Sequence, residues 1–218
     1  MISPKYSLTH YYLGTKALSS AKQAPHIVNL YFDYNCPFSA KLYLKLLKVI
    51  PQLQSTKPDQ FQFVYVNVIQ PWHTNSTLLN EFGLAYAKVL REKQVGDEQT
   101  KFWNFNKVIY ENKEKFYDNS NIELNRNEIY KQIYDVVSKD LELGVSKDDI
   151  LNELLIKAGG EPSNSGNGAT TDVKYFTRYL RTVGVHITPT VTIDGIADDS
   201  ISSGSSEEEL IKSFSSKL

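Results

Sequence analysis

One cysteine occurs in the 218 residues, Cys36, within the stretch YFDYNCPFSAKLYLKLL at residues 31–47. Pro37 follows it, with the fixed φ and missing N–H that suit a first helical position, and a helical pattern runs on from Phe38. A thiol at the amino end of a helix faces unpaired backbone N–H groups and the positive end of the helix dipole. Both favour the thiolate, which is the nucleophilic form. The alternative is a buried cysteine acting as a small hydrophobe; the place between an apolar run and a proline argues for the nucleophile. Where a two-cysteine redox site would hold its second thiol, three residues on, the chain has Ser39. A hydroxyl is too weakly acidic to resolve a mixed disulfide. Chemistry through Cys36 therefore needs an external thiol, and glutathione is the obvious supply. Ser39 is either a donor to the Cys36 sulfur or an ordinary serine of the first helical turn.

Two further places could serve that thiol. ITPT, at 187–190, lies between a helical pattern and a β-rich run, so Thr188-Pro189 reads either as a turn holding a cis peptide bond or as a plain strand start. In the first case Thr188 presents a backbone edge to an extended thiol or peptide ligand. His73 is a proton donor, acceptor or substrate contact, or a structural histidine, and Trp72 beside it is a candidate apolar wall. His10, His26 and His186 take the structural reading. The four histidines show no metal-ligand spacing, and one cysteine excludes both a thiolate zinc site and an internal disulfide framework, so no metal is expected.

The elements that must position these groups follow from pattern. Ile27–Phe32 is an apolar run suited to a strand buried on both faces. Phe38–Ile50 is helical with one thin stripe, Lys41, Lys45 and Lys48, facing water; Pro51 is expected to end it. FQFVYVNVI, at 61–69, is a second buried strand. Strand, helix, strand implies a right-handed crossover and parallel pairing. Both strands then end at one edge of the sheet, which brings Cys36 to the edge that receives Pro71, Trp72 and His73 and where open α/β sheets bind ligands. Residues 76–170 read as a helical insertion, with periodic stretches over Leu78–Leu90 and Gln99–Phe116 and capping boxes at Asn125/Glu128 and Ser146/Asp149. Its aromatic run FWNFNKVIY is core rather than a cofactor box. A flexible loop is expected near 159–170. The helical pattern returns over Thr171–Val183. Asp194-Gly195 marks a hairpin, and Ser205/Glu208 a capping box for a last helix reaching about Phe214.

With 24 basic and 25 acidic residues the net charge is −1, which offers no electrostatic footprint for nucleic acid or anionic lipid. No apolar stretch approaches a membrane span, and the first residues do not read as a secretory signal. The closing Ser216-Lys217-Leu218 matches a tripeptide read as a peroxisomal address, so a peroxisomal import receptor is an expected partner and the peroxisome, otherwise the cytoplasm, the expected location.

Taken together, strand–Cys-Pro-Phe-Ser–helix, second strand, long helical insertion, Thr-Pro-Thr and hairpin resemble the DsbA-like branch of the thioredoxin superfamily over about residues 26–214. VNVIQPWHTNSTLLNE is similar to the corresponding segment of monothiol members. The resemblance implies an α/β, thioredoxin-like fold formed by 1–75 and 171–218, with the 76–170 insertion between the second strand and the cis-proline strand. It implies Cys36 as nucleophile, Pro189 as the cis-proline facing it and Thr188 as the backbone contact; Pro37 and Phe38, like Trp72 and His73, are candidate contacts for substrate or glutathione. The chain departs from the dithiol members at Ser39. It departs at Cys36 from the kappa-class glutathione transferases, a sister branch with the same insertion and usually a serine there. Three functions follow from this: a monothiol, glutathione-linked thiol–disulfide oxidoreductase acting on glutathione or a protein thiol; a kappa-like transferase or isomerase; and a binding module on an inherited fold.

Overall fold

The computed structural model describes residues 2–13 and 24–218. Strand β1 (His26–Phe32) leads into helix α1 (Pro37–Thr56) and strand β2 (Phe61–Asn67). Helices α2 (Ser76–Lys93), α3 (Glu98–Glu111), α4 (Arg126–Asp140) and α5 (Lys147–Leu154) form the insertion, and α6 (Thr170–Val183) returns the chain to β3 (Thr190–Ile193), β4 (Ile196–Ala197) and α7 (Glu207–Ser215). The sheet order is β2-β1-β3-β4. β1 and β2 are parallel in the register His26↔Phe61 to Phe32↔Asn67, while β3 runs antiparallel to β1, from Val28↔Ile193 to Tyr31↔Thr190. The residues that follow β1 and β2 and those that precede β3 therefore meet at one edge. At the outer side of β2 the amino-terminal segment adds a short antiparallel bridge: Tyr65 N–H donates to His10 O and Tyr12 N–H to Phe63 O, both at 2.9 Å. This bridge fixes His10 beside the sheet.

Both central strands are apolar because both faces are covered; all seven residues of β2 are buried. One continuous core runs from the sheet into the insertion. Its bulk is aromatic, and the buried phenols are satisfied as burial requires. Tyr34 Oη donates to Asn106 Oδ1 at 2.6 Å, Tyr43 Oη to Trp103 O at 2.8 Å and Tyr86 Oη to Leu143 O at 2.9 Å, and the Tyr65 and Tyr110 hydroxyls pair at 2.8 Å. Gly83 admits α2 to this cluster: a Cβ there would stand 2.8 Å from Tyr34 Oη and 3.2 Å from Phe105 Cε1. In an exposed helix Gly→Ala would stabilise by ~1 kcal/mol. Here overpacking wins, and Gly83→Ala should lower stability by about 1–3 kcal/mol in urea unfolding.

Several boundaries differ from the sequence pattern. Pro51 lies inside α1, which continues to Thr56. Pro51 is exposed, so the turn it deprives of a hydrogen bond faces water rather than the core. α3 stops at Glu111, where Asn112 caps it: its N–H reaches Val108 O and Ile109 O and its side-chain Nδ2 donates to Val108 O at 2.9 Å. A 3₁₀ turn, Lys113–Phe116, takes up the remainder. The last capping box is Ser206/Glu209, one residue beyond the expected pair; Ser205 belongs to the preceding turn, where its Oγ donates to Ser200 O. The boxes at Asn125/Glu128 and Ser146/Asp149 form as expected, and Asp194-Gly195 turns the hairpin with both residues at positive φ.

Candidate active site

The edge shared by β1, β2 and β3 gathers the chemistry. Cys36 is the N-cap of α1, with extended φ −80° and ψ 119°, and Pro37 takes the first helical position. Its N–H donates to Asp33 O at 3.2 Å and its carbonyl accepts from Ala40 N at 3.1 Å, so a tight turn and the first helical bond fix the backbone on both sides. Across the edge, the Thr188–Pro189 peptide is cis, and Cys36 Sγ donates to Thr188 O at 3.5 Å. The thiol is recessed, with Cys36 only 3% exposed. Three large apolar side chains on the segments that meet at this edge are exposed: Phe38 at 60%, Trp72 at 64% and Ile187 at 65%.

Ser39 is brought to the site but not as a group at the surface. It is fully buried, and its Oγ accepts from the N–H of Asp33 at 3.3 Å, closing the strand–helix turn from beneath. Of the two readings of Ser39, this contact is that of a serine in the first helical turn.

Asp33 is the residue the pattern does not single out, a polar letter in the cluster that ends β1. Its side chain is wholly buried. Oδ1 accepts from Asn35 N at 2.9 Å and Ser76 Oγ at 2.7 Å; Oδ2 accepts from Gln70 N at 3.2 Å and pairs with His73 Nδ1 at 2.7 Å. One carboxylate therefore ties the cysteine turn to the loop after β2 and to the start of α2. Gln70 carries the connection on, its Nε2 donating to His186 O at 3.2 Å and Thr188 Oγ1 at 3.4 Å. Trp72 packs edge-on to the His73 ring.

The hydrogen bond to Asp33, reinforced by that carboxylate's charge and by Asp118, raises the His73 pKa above its ordinary value against the opposing effect of partial burial. A histidine whose folded value is raised stabilises the fold fully below its unfolded value of about 6.5 and loses that contribution as pH rises through the folded value. Thermal unfolding followed against pH should show stability falling across that window, and His73→Asn should flatten the fall.

The insertion contributes as well. Asn75 Nδ2 donates to Phe116 O at 3.0 Å, holding the 3₁₀ turn against the site. The Tyr117 hydroxyl is pushed up in pKa by burial first, then by Glu114 and Cys36, which sets this ring within electrostatic reach of the thiol. A groove of about 680 Å³ opens beside Trp72 and Gln70, walled by Val68, Leu180, Val185 and His186.

Of the remaining histidines, His186 walls that groove, His26 pairs with Asp194 at 2.6 Å at the far end of the sheet, and His10 lies in the core. Among the described residues no group of His, Cys, Asp and Glu could hold a metal ion, and no helix is long and apolar enough to cross a membrane. Ser216 and Lys217 extend α7 by backbone bonds to Lys212 O and Phe214 O, Lys217 Nζ pairs with Asp198 at 2.7 Å, and Leu218 is exposed.

Comparison with known proteins places this architecture. No characterised protein matches the chain by sequence. Among solved structures it resembles a candidate protein-disulfide isomerase from Pseudomonas syringae, at 20% identity and TM-score 0.65 over 87% of this chain and 93% of that one. It also resembles MdbA, a thiol–disulfide oxidoreductase from Corynebacterium diphtheriae, at 17% identity and TM-score 0.56 over 89% and 85%. The thiol–disulfide exchange protein α-DsbA2 from Wolbachia pipientis aligns over 98% and 96% of the two chains at 14% identity and TM-score 0.54. These likenesses establish a thioredoxin-like fold of the DsbA kind. A thioredoxin family model matches residues 14–212, and the chain belongs to that family.

Proposed function

We propose that the chain is a monothiol thiol–disulfide oxidoreductase that works through Cys36 with glutathione as its partner. The observation that carries this reading is the pairing of a thiol at a helix N-cap position, 3.5 Å from Thr188 O, with a buried serine three residues on, where a resolving thiol would stand. The Cys36 thiolate attacks one sulfur of a disulfide, forming a Cys36–S–S–R bond and expelling the other sulfur as a thiolate. Ser39 cannot attack that bond. A glutathione thiolate does so instead, leaving Cys36 as thiolate and R joined to glutathione.

The site's shape fits this sequence of events. Once Sγ is a thiolate or part of a disulfide, it no longer donates to Thr188 O, and that carbonyl can accept an N–H from the backbone of an incoming cysteinyl peptide. The recess admits a sulfur on a slim, extended chain. Phe38, Trp72 and Ile187 offer apolar contact to whatever flanks it, and the groove beside Trp72 has room for the rest of a small peptide.

The reading is tested by incubating the purified protein with glutathione disulfide and recording its mass. One glutathionyl group on Cys36, removed by reduced glutathione, is the expected result. A protein that takes up no group, or that exchanges with cystine and glutathione disulfide at equal rates, would overturn the glutathione link.

A further inference from the structure

The buried histidine far from the thiol belongs to a chain of hydrogen bonds that ends at the site. Arg91 Nη1 donates to Thr9 Oγ1 at 3.1 Å, and Thr9 Oγ1 lies 2.8 Å from His10 Nδ1. His10 Nε2 is 2.9 Å from Asn67 Oδ1, and Asn67 Nδ2 donates to Asn80 Oδ1 at 2.9 Å. Asn80 Nδ2 donates to Ser76 O at 2.9 Å and Val68 O at 3.1 Å, with a longer approach to Ser76 Oγ at 3.4 Å. Ser76 Oγ donates to Asp33 Oδ1, whose other oxygen holds His73. His10, Asn67, Asn80, Ser76 and Asp33 are all buried.

The direction of this chain is fixed at one point. Val68 O and Ser76 O are backbone carbonyls and can only accept, so the Asn80 amide must turn its NH₂ toward them. Asn80 Oδ1 must then receive an N–H from Asn67, and Asn67 Oδ1 must receive one from His10 Nε2. His10 Nδ1 is left as an acceptor for the Thr9 hydroxyl at 2.8 Å, a shorter approach than the 3.4 Å from Thr9 Oγ1 to Tyr6 O, and Thr9 Oγ1 itself accepts from the Arg91 cation. From Arg91 to Asn80 the donors along the chain point the same way, and bonds so aligned polarise one another; the Asn80 amide then holds the Ser76 backbone carbonyl, and the Ser76 hydroxyl donates on to Asp33. The His10 ring has no freedom to break the order: it stacks on Phe102 at 4.4 Å and on Phe176 at 5.5 Å. Burial and the nearby Arg91 and Lys5 charges push its pKa down to about 3, so it stays neutral.

We infer that His10, Asn67 and Asn80 are positioning residues of the candidate active site, orienting Ser76 so that its hydroxyl holds Asp33 Oδ1 and leaves Oδ2 to His73. In taking the edge that Asp33 and His73 help to build as the active site, the inference rests on the exchange reading. Its tests do not involve exchange, so the two can fail separately.

The first test needs no variant. Long-range ¹H–¹⁵N spectra of the wild-type protein should show His10 as the neutral Nε2–H tautomer throughout the range in which ordinary histidines titrate. An Nδ1–H tautomer, or a titrating His10, would overturn the directional chain. The second test follows the His73 titration in Ser76→Ala and Asn67→Leu. Ser76→Ala deletes one donor to Asp33, and more of the carboxylate's charge then falls on His73, so its midpoint should move upward; Asn67→Leu should move it the same way by less. Asp118, the other charge acting on His73, is untouched by either change. A midpoint that stays put or falls in Ser76→Ala would show that the chain does not bear on the pair. Should Asn67→Leu fail to fold, Ser76→Ala, which removes a single oxygen, still decides the question.

Discussion

Cys36→Ser should reduce glutathione-dependent disulfide exchange to the uncatalysed background and abolish the glutathionyl adduct, with the fold intact. A serine hydroxyl can keep the donor that Thr188 O now receives from the thiol, and the N-cap position suits serine at least as well as cysteine. The cost to stability is therefore about 1 kcal/mol or less. The chemical cost is total, since no second cysteine is present in the chain to take over. The same variant separates the competing functions. A transferase that activates the thiol of bound glutathione would keep its activity toward an electrophile, as kappa-class proteins with serine at this position would imply. A binding module would lose nothing measurable in either assay. The decisive pair of measurements is turnover with a glutathione mixed disulfide and thermal stability, each before and after the substitution.

Those parts of the site set by local signals are legible in the amino-acid sequence. A cysteine, a proline at the first helical position and an apolar run on each side place Cys36 at a strand–helix junction from a few neighbouring residues alone. The hairpin at Asp194-Gly195 and the two capping boxes of the insertion are equally local. What pattern does not show is set by contacts across the chain. Asp33 reads as one more polar residue ending a strand; its importance comes from Gln70, His73 and Ser76, brought to it by the β1–β2 crossover. His10 reads as an isolated histidine because Asn67, which pairs with its Nε2, and Arg91, which reaches it through Thr9, lie on other elements. Phe116 is tied to the start of α2 only through the way the 3₁₀ turn after α3 folds back onto Asn75. Pro51 misleads for the opposite reason: the local rule is sound for a helix interior, yet here packing on both sides of an exposed proline holds α1 together. Ser39 is visible as the missing thiol, while its burial under the turn depends on the depth at which α1 packs. Local chemistry is written in neighbouring letters, and the second layer around it is not.

Asp33 is the residue of that second layer whose loss should be felt most. Asp33→Ala would leave the N–H groups of Asn35 and Gln70, the Ser76 hydroxyl and the His73 ring without their shared acceptor. A buried donor left unsatisfied costs ~1–3 kcal/mol, so the sum should exceed about 4 kcal/mol, a range reached by few single substitutions. Asp33→Asn is the sharper probe because it keeps the shape. If the new amide turns its oxygen toward Ser76 and Asn35, its NH₂ faces the Gln70 N–H. If it turns the other way, its NH₂ faces the Asn35 N–H. Either orientation sets a donor against a backbone donor, and stability should fall by about 1–3 kcal/mol. The charge that holds the His73 proton disappears as well. His73 should then titrate lower, and the loss of stability as pH rises through its folded value should vanish with it. Denaturant unfolding at two pH values, one on each side of the His73 transition, measures both effects at once. Equal pH slopes in wild type and Asp33→Asn would mean that the Asp33–His73 pair does not govern the pH response. A slope lost together with a slowed reaction at Cys36 would place Asp33 as the residue through which the fold holds its thiol ready.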